Sequence, residues 1–180
     1  MNVCPGGSVI KSETWFMRIL EDMGAPLYRY LYSQLVDRQW AEDIYQDVFL
    51  ALLETKTEFT DDDHVRFWLF RVASNKVNQF FRKSSTRREV SVDVDASPMF
   101  AGLFSNDESK LEFDADHYIW EYVEELPRVQ RECIYFKYVE GYSTSDIAKI
   151  TRSRAATVRT RLLRARIALR QAIERRDHGF

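Results

Sequence analysis

The chain has 180 residues, 45% of them hydrophobic, 14% aromatic and 30% charged, and its formal net charge is only −2. That is enough apolar material for one domain or two small ones beneath a well-solvated surface. It excludes a bilayer-spanning helix, which needs about 20 apolar residues in a row, and residues 1–11 lack the basic start and apolar middle of a signal peptide, so a soluble cytoplasmic protein is expected.

Residues 1–11 read as a disordered leader, after which Pro26 opens a short helix from Leu27 to Leu35. Ala41 to Glu54 (AEDIYQDVFLALLE) sets Ile44, Val48 and Leu52 on one stripe with Tyr45, Phe49 and Leu53 beside it; Asp43 and Asp47 lie one turn apart on another face. The polar run Thr60-Asp61-Asp62-Asp63 offers caps for a third helix from His64 to Arg82, rich in Phe, Leu and Val at helical spacing. From Ser84 to Phe113 the periodicity fails, and Ser, Asp, Ala, Gly and Pro accumulate in the manner of an acidic linker. Helical character resumes near Asp114, pauses at Leu126-Pro127 and continues from Arg128 to Val139, with Gly141 closing that helix. Ser143-Thr144-Ser145-Asp146 has the form of a capping box opening a short helix through Ile150, and a turn follows at Thr151 to Ser153. The last helix, from Arg154 to Arg175, turns Ala155, Val158, Leu162, Ala165, Leu169 and Ile173 inward. The fold class is therefore all-α: two small helical domains, 12–83 and 114–176, joined by a flexible acidic linker at 84–113, the second containing a helix-turn-helix.

Charge is distributed unevenly along this frame. Arg128 to Arg176 holds thirteen Lys/Arg against four Asp/Glu, a balance of +9 that leaves −11 for the remainder. A basic tail on an acidic remainder points to two modules with different partners, nucleic acid for the tail and basic protein surface for the rest. The final helix pair has helix-turn-helix spacing, and its second helix presents arginines suited to phosphates and guanine edges. Arg71, Asn75, Asn78 and Arg82, with Gln79 adjacent, share one side of the third helix; amides match adenine and guanidinium groups match guanine, though a solvated polar face has the same composition. Trp68 is ambiguous between core packing and base stacking.

Nothing proposes a reaction. The run Asp61-Asp62-Asp63 is better explained by capping than by a metal, and His64, His117 and His178 are scattered. Cys4 and Cys133 have neither CxxC spacing nor a local histidine, which argues against a disulfide or zinc. No nucleophile-base arrangement or phosphate loop is present, so no enzyme, catalytic residue, cofactor or metal is expected.

Several blocks resemble, in order, the extracytoplasmic-function sigma factors of the sigma-70 family: AEDIYQDVFLALLE, then VRFWLFRVASNKVNQFFRK, then ELPRVQRECIYFKYVEGYSTSDIAKI with ATVRTRLLRARIALRQ. The resemblance implies a sigma factor that binds core RNA polymerase, at its clamp coiled coil and flap, and directs promoter-specific initiation. It assigns clamp binding to Asp43, Gln46 and Asp47, and minus-ten recognition to Asn75, Asn78 and Gln79 beside Arg71 and Arg82. The loop from Lys56 to Asp63 would receive a flipped base. Minus-thirty-five reading falls to Arg159, Thr160, Leu163 and Arg164. The resemblance also implies promoter DNA and an anti-sigma factor as partners, with no direct membrane insertion.

One departure stands out. Where the family usually has Leu-Gly-Ile-Ser in the turn, this chain has Thr151-Arg152-Ser153-Arg154, which forgoes the easing glycine and gains two arginines for phosphate contacts. A stand-alone helix-turn-helix regulator is the competing class, separable by its lack of polymerase affinity; a nuclease or recombinase with such a tail would cleave DNA with metal.

Overall fold

The computed structural model describes residues 12–35, 37–86 and 117–177, and the chain divides into two compact units. The expected leader, and the expected linker from residue 87 onward, lie outside the described residues. Every regular element among the described residues is helical.

The first unit is built on α1 (Glu13–Leu35), α2 (Arg38–Glu54) and α3 (Asp62–Thr86). Here α1 corrects the sequence reading, for it runs through Pro26 instead of starting after it. A proline inside a helix costs about 3 kcal/mol through its missing amide and ring clash. Burial offsets that cost: Trp15, Ile19, Met23, Leu27 and Leu31 recur every four residues and are all buried, so one apolar stripe crosses the proline unbroken. Each fully buried side chain of this kind contributes roughly 1.5–3 kcal/mol.

α2 begins three residues before the expected Ala41, because Asp37 caps it; its Oδ1 accepts from the amides of Gln39 (2.8 Å) and Trp40 (3.4 Å). Ala41, Ile44, Val48 and Leu52 line its inner side, as their spacing predicts, but Leu53 is 56% exposed and does not belong to the core stripe. It lies too far round the helix from Ile44 and Val48 to reach α1 or α3. α3 meets this layer with Val65, Leu69, Ala73 and Val77, all fully buried. Its start bears out the capping reading of the acidic run: Asp61 Oδ1 accepts from the His64 amide at 2.7 Å. Asp62 instead takes a forked pair of bonds from Arg18 of α1, at 2.6 and 2.7 Å, tying two helix ends together. α3 extends to Thr86, so the first residues of the expected linker continue that helix.

The second unit is built on α4 (His117–Glu125), α5 (Arg128–Ile134), α6 (Thr144–Ile150) as far as Ala148, and α7 (Ala155–Asp177), with Lys149–Arg152 grouped with the first unit. Pro127 caps α5 at a point where its missing amide costs nothing, and the amides of Gln130 and Arg131 donate to its carbonyl at 2.7 and 3.1 Å. The helix does not stay regular to Val139. Tyr135–Val139 forms one wider π-helical turn, closed by Glu140 N–H to Tyr135 C=O (3.2 Å) and by Tyr142 N–H to Phe136 C=O (2.9 Å), with Gly141 at φ +72. A glycine suits that left-handed position without steric cost. Val123, Cys133, Phe136, Ile147, Val158 and Leu162 are buried in this unit. Burial pushes the Cys133 thiol up to about 11, which keeps it protonated and inert as a nucleophile at neutral pH.

Candidate functional site

The expected reading faces are built by the same residues that bury the opposite faces. On α2, Asp43, Gln46 and Asp47 project outward while Ala41, Ile44 and Val48 anchor the helix. Asp47 is held by Lys76 of α3, whose Nζ lies 2.9 Å from Oδ2, so one carboxylate is fixed in orientation. The sequence did not indicate that this acidic strip continues into exposed aliphatic surface: Leu50 is 55% exposed beside Leu53. An acidic and apolar strip on one rigid helix fits a protein surface carrying basic and apolar groups. A helical wheel of the segment contains the signal for Leu50, masked by its apolar neighbours.

On α3, Arg71, Gln79 and Arg82 are exposed and Asn75 and Asn78 are half-buried, one polar ridge along the helix. At the start of this helix the segment Lys56–Asp61 is pinned from beneath by Phe59, which is fully buried. Its ring stacks on Trp15 at 6.0 Å and takes the edge of Trp68 at 5.8 Å. Half-buried Trp68 braces the loop through that contact. Lys56, Glu58 and Thr60 stay exposed above it, and Thr57 N–H donates to Thr55 Oγ1 at 3.2 Å. Phe80 is likewise engaged, tilted against Trp40 at 5.0 Å.

Ser143 caps α6 as its spacing predicts: the Asp146 amide donates to Ser143 Oγ at 3.2 Å, and that hydroxyl donates to the Asp146 carboxylate. Ile147, Ile150, Val158 and Leu162 are buried. Arg159, Thr160, Leu163 and Arg164 form one exposed face of α7, with Leu163 51% exposed. Thr160 Oγ1 donates to the Ala156 carbonyl at 3.0 Å, which fixes its rotamer.

The atypical turn has a definite geometry. Arg152 sits at φ +51, and Ser153 N–H donates to Ala148 C=O at 2.9 Å. That is a Schellman closure with arginine in the left-handed position usually given to glycine. Arg152 and Arg154 are exposed on either side of half-buried Ser153. Missed by the sequence reading was Arg161, whose Nη1 donates to Ser153 Oγ at 3.0 Å across eight residues; no local pattern encodes such a bond.

Comparison with known proteins agrees with this architecture. The family model Sigma-70 region 2 matches residues 19–87, and the model Sigma-70, region 4 matches residues 116–169, together well over half of the chain. The chain is 24% identical over 165 residues to the ECF RNA polymerase sigma factor SigX of Bacillus subtilis, covering 90% of this chain and 85% of that protein. It is 28% identical over 152 residues to the ECF RNA polymerase sigma-E factor of Escherichia coli K12, covering 80% and 79%. Among solved structures, the sigma factor RpoE in complex with the anti-sigma factor NepR from Bartonella quintana shares the fold, with TM-score 0.63, 21% identity and coverage of 89% and 98%. CnrH in complex with the cytosolic domain of CnrY does so with TM-score 0.56, 21% identity and coverage of 91% and 90%. The chain belongs to the sigma-70 family in its extracytoplasmic-function group, an alternative sigma factor of transcription initiation.

Proposed function

We propose that this chain binds core RNA polymerase through the outer strip of α2, with Asp43, Gln46, Asp47 and Leu50 against basic and apolar groups of the clamp coiled coil. The second unit adds a contact to the flap. The ridge Arg71, Asn75, Asn78, Gln79 and Arg82 on α3 then meets the minus-ten element, and the segment Lys56–Asp63 receives a base turned out of the duplex. Arg159, Thr160, Leu163 and Arg164 read the minus-thirty-five element, while Arg152 and Arg154 contact phosphates. The observation that carries this reading is that hydrogen-bonding side chains crowd the exposed faces of α3 and α7 while their opposite faces are buried. Each helix is thus presented to a groove or an open strand by a rigid support.

The domains assigned to these tasks are residues 12–83 and 114–176, and the acidic segment between them follows the polymerase toward its RNA exit path. No helix among the described residues is long and apolar enough to cross a membrane. The protein acts in the cytoplasm, where polymerase and chromosome are. An anti-sigma factor holds it inactive, a reading supported by the two structural neighbours, each solved with such a partner or with a cytosolic domain of another protein. It carries out no catalysis of its own. Run-off transcription with purified core polymerase is the test. Promoter-dependent transcripts are expected only when the chain is added, and sequence-specific DNA binding with no polymerase affinity would favour a stand-alone regulator instead.

A further inference from the structure

At the turn between α6 and α7, Ser153 N–H to Ala148 C=O closes one helix and Val158 N–H to Arg154 C=O opens the next. The residues flanking Ser153 are exposed arginines, whose like charges do not favour a fixed turn, and Arg152 adopts a left-handed backbone that disfavours any side chain. A side-chain bond from Arg161 Nη1 to Ser153 Oγ, 3.0 Å long and part-buried, ties the turn to α7 where water competes for it less than at the surface. Arg161 lies on the flank of α7, roughly 60° round the helix from Arg164. One side chain therefore links the turn and α7. A guanidinium can do this because its five N–H donors sit in a fixed fork; a lysine ammonium cannot hold the same directions.

Building on the minus-thirty-five reading of α7, we propose that Arg161 is a positioning residue for promoter discrimination: its bond to Ser153 clamps the turn onto α7 and holds Arg152 and Arg154 in register with the reading face. Without the clamp, the phosphate-contacting arginines no longer dictate how α7 enters the groove, so right and wrong bases are told apart less well.

The test uses the full chain with core polymerase, measuring initiation on a matched promoter and on promoters singly substituted across the minus-thirty-five element, at several salt concentrations. Variants are Ser153→Ala, which removes the acceptor without changing charge, Arg161→Lys, which keeps charge but not geometry, and their combination; Arg164→Ala is the control for the reading face. Each single clamp variant is expected to lower discrimination by about 3- to 10-fold, the range for one lost hydrogen bond, and the combination by no more than the worse single. The salt slope of Ser153→Ala stays at the wild-type value. Wild-type discrimination in Ser153→Ala, or fully multiplying losses in the double variant, would overturn the clamp. So would a uniform loss in Arg161→Lys across all promoters with Ser153→Ala silent, because Arg161 would then be a phosphate contact. If Arg164→Ala also leaves discrimination untouched, the reading face itself is misassigned, and the clamp falls with it.

Discussion

Replacing Arg152 by glycine separates stability from DNA affinity in opposite directions. At φ +51 the arginine backbone is in the left-handed region, which costs an ordinary residue roughly 1–2 kcal/mol. Glycine removes that cost but brings about 0.4–1 kcal/mol of extra unfolded-state entropy. The net expectation is a stabilisation of about 0.5–1 kcal/mol, since the Schellman bond from Ser153 N–H to Ala148 C=O is kept. For a unit of this size that is a rise in Tm of about 2–8 °C. The exposed guanidinium is lost at the same time, so the salt slope of promoter binding should fall by about one unit. Thermal unfolding of the full chain and salt-dependent holoenzyme binding measure the two effects. A lower Tm for Arg152→Gly would refute the strain argument, and an unchanged salt slope would refute the phosphate contact.

Further expectations concern the first unit. A Cβ on Gly24 would stand 2.9 Å from the Tyr45 hydroxyl, so Gly24→Ala should destabilise by about 1 kcal/mol in denaturant titration. In a Tyr45→Phe background the same change should stabilise by a similar amount through helix propensity. The Asp62 carboxyl is held below its usual range by the hydrogen bonds of Arg18, and Asp61 by the His64 amide. Because both are depressed, their stabilisation is present above the unfolded value of about 3.9 and is lost as pH falls through the folded values, so unfolding should steepen below about pH 4. Asp62→Asn should flatten that profile, with a loss at neutral pH of no more than about 1 kcal/mol for so exposed a pair. Leu50→Glu should weaken core-polymerase binding in co-sedimentation while moving stability by less than about 0.5 kcal/mol. Equal polymerase affinity would remove Leu50 from the interface.

Much of this architecture was legible in residue spacing. The inner stripes of α2 and α7 follow 3.6-residue periodicity, and Asp61 and Ser143 cap where their side-chain chemistry requires. The misreadings arose where tertiary packing overrides a local rule. Pro26 is a strong local stop signal, yet the stripe from Trp15 to Leu31 carries α1 through it. Leu53 belongs to an apolar run, and only the arrangement of three helices shows which of those side chains lacks a neighbour. The Arg161 to Ser153 bond spans eight residues, and no local pattern encodes it. The faces of α3 and α7 were visible because hydrogen-bonding residues recur on one side; the exposed aliphatic part of α2 was hidden by its apolar composition.

The central claim, that one chain reads two promoter elements for the polymerase with two separate faces, is tested most directly by transcribing fragmented genomic DNA in vitro with core enzyme plus this protein and mapping the transcript starts. Starts should gather at a constant distance downstream of two shared sequence elements. Asn75→Ala with Asn78→Ala should relax the nearer element alone, and Arg159→Ala with Arg164→Ala the farther one alone. Starts no different from those of core enzyme, or a set in which both variant pairs relax the same element, would contradict the account.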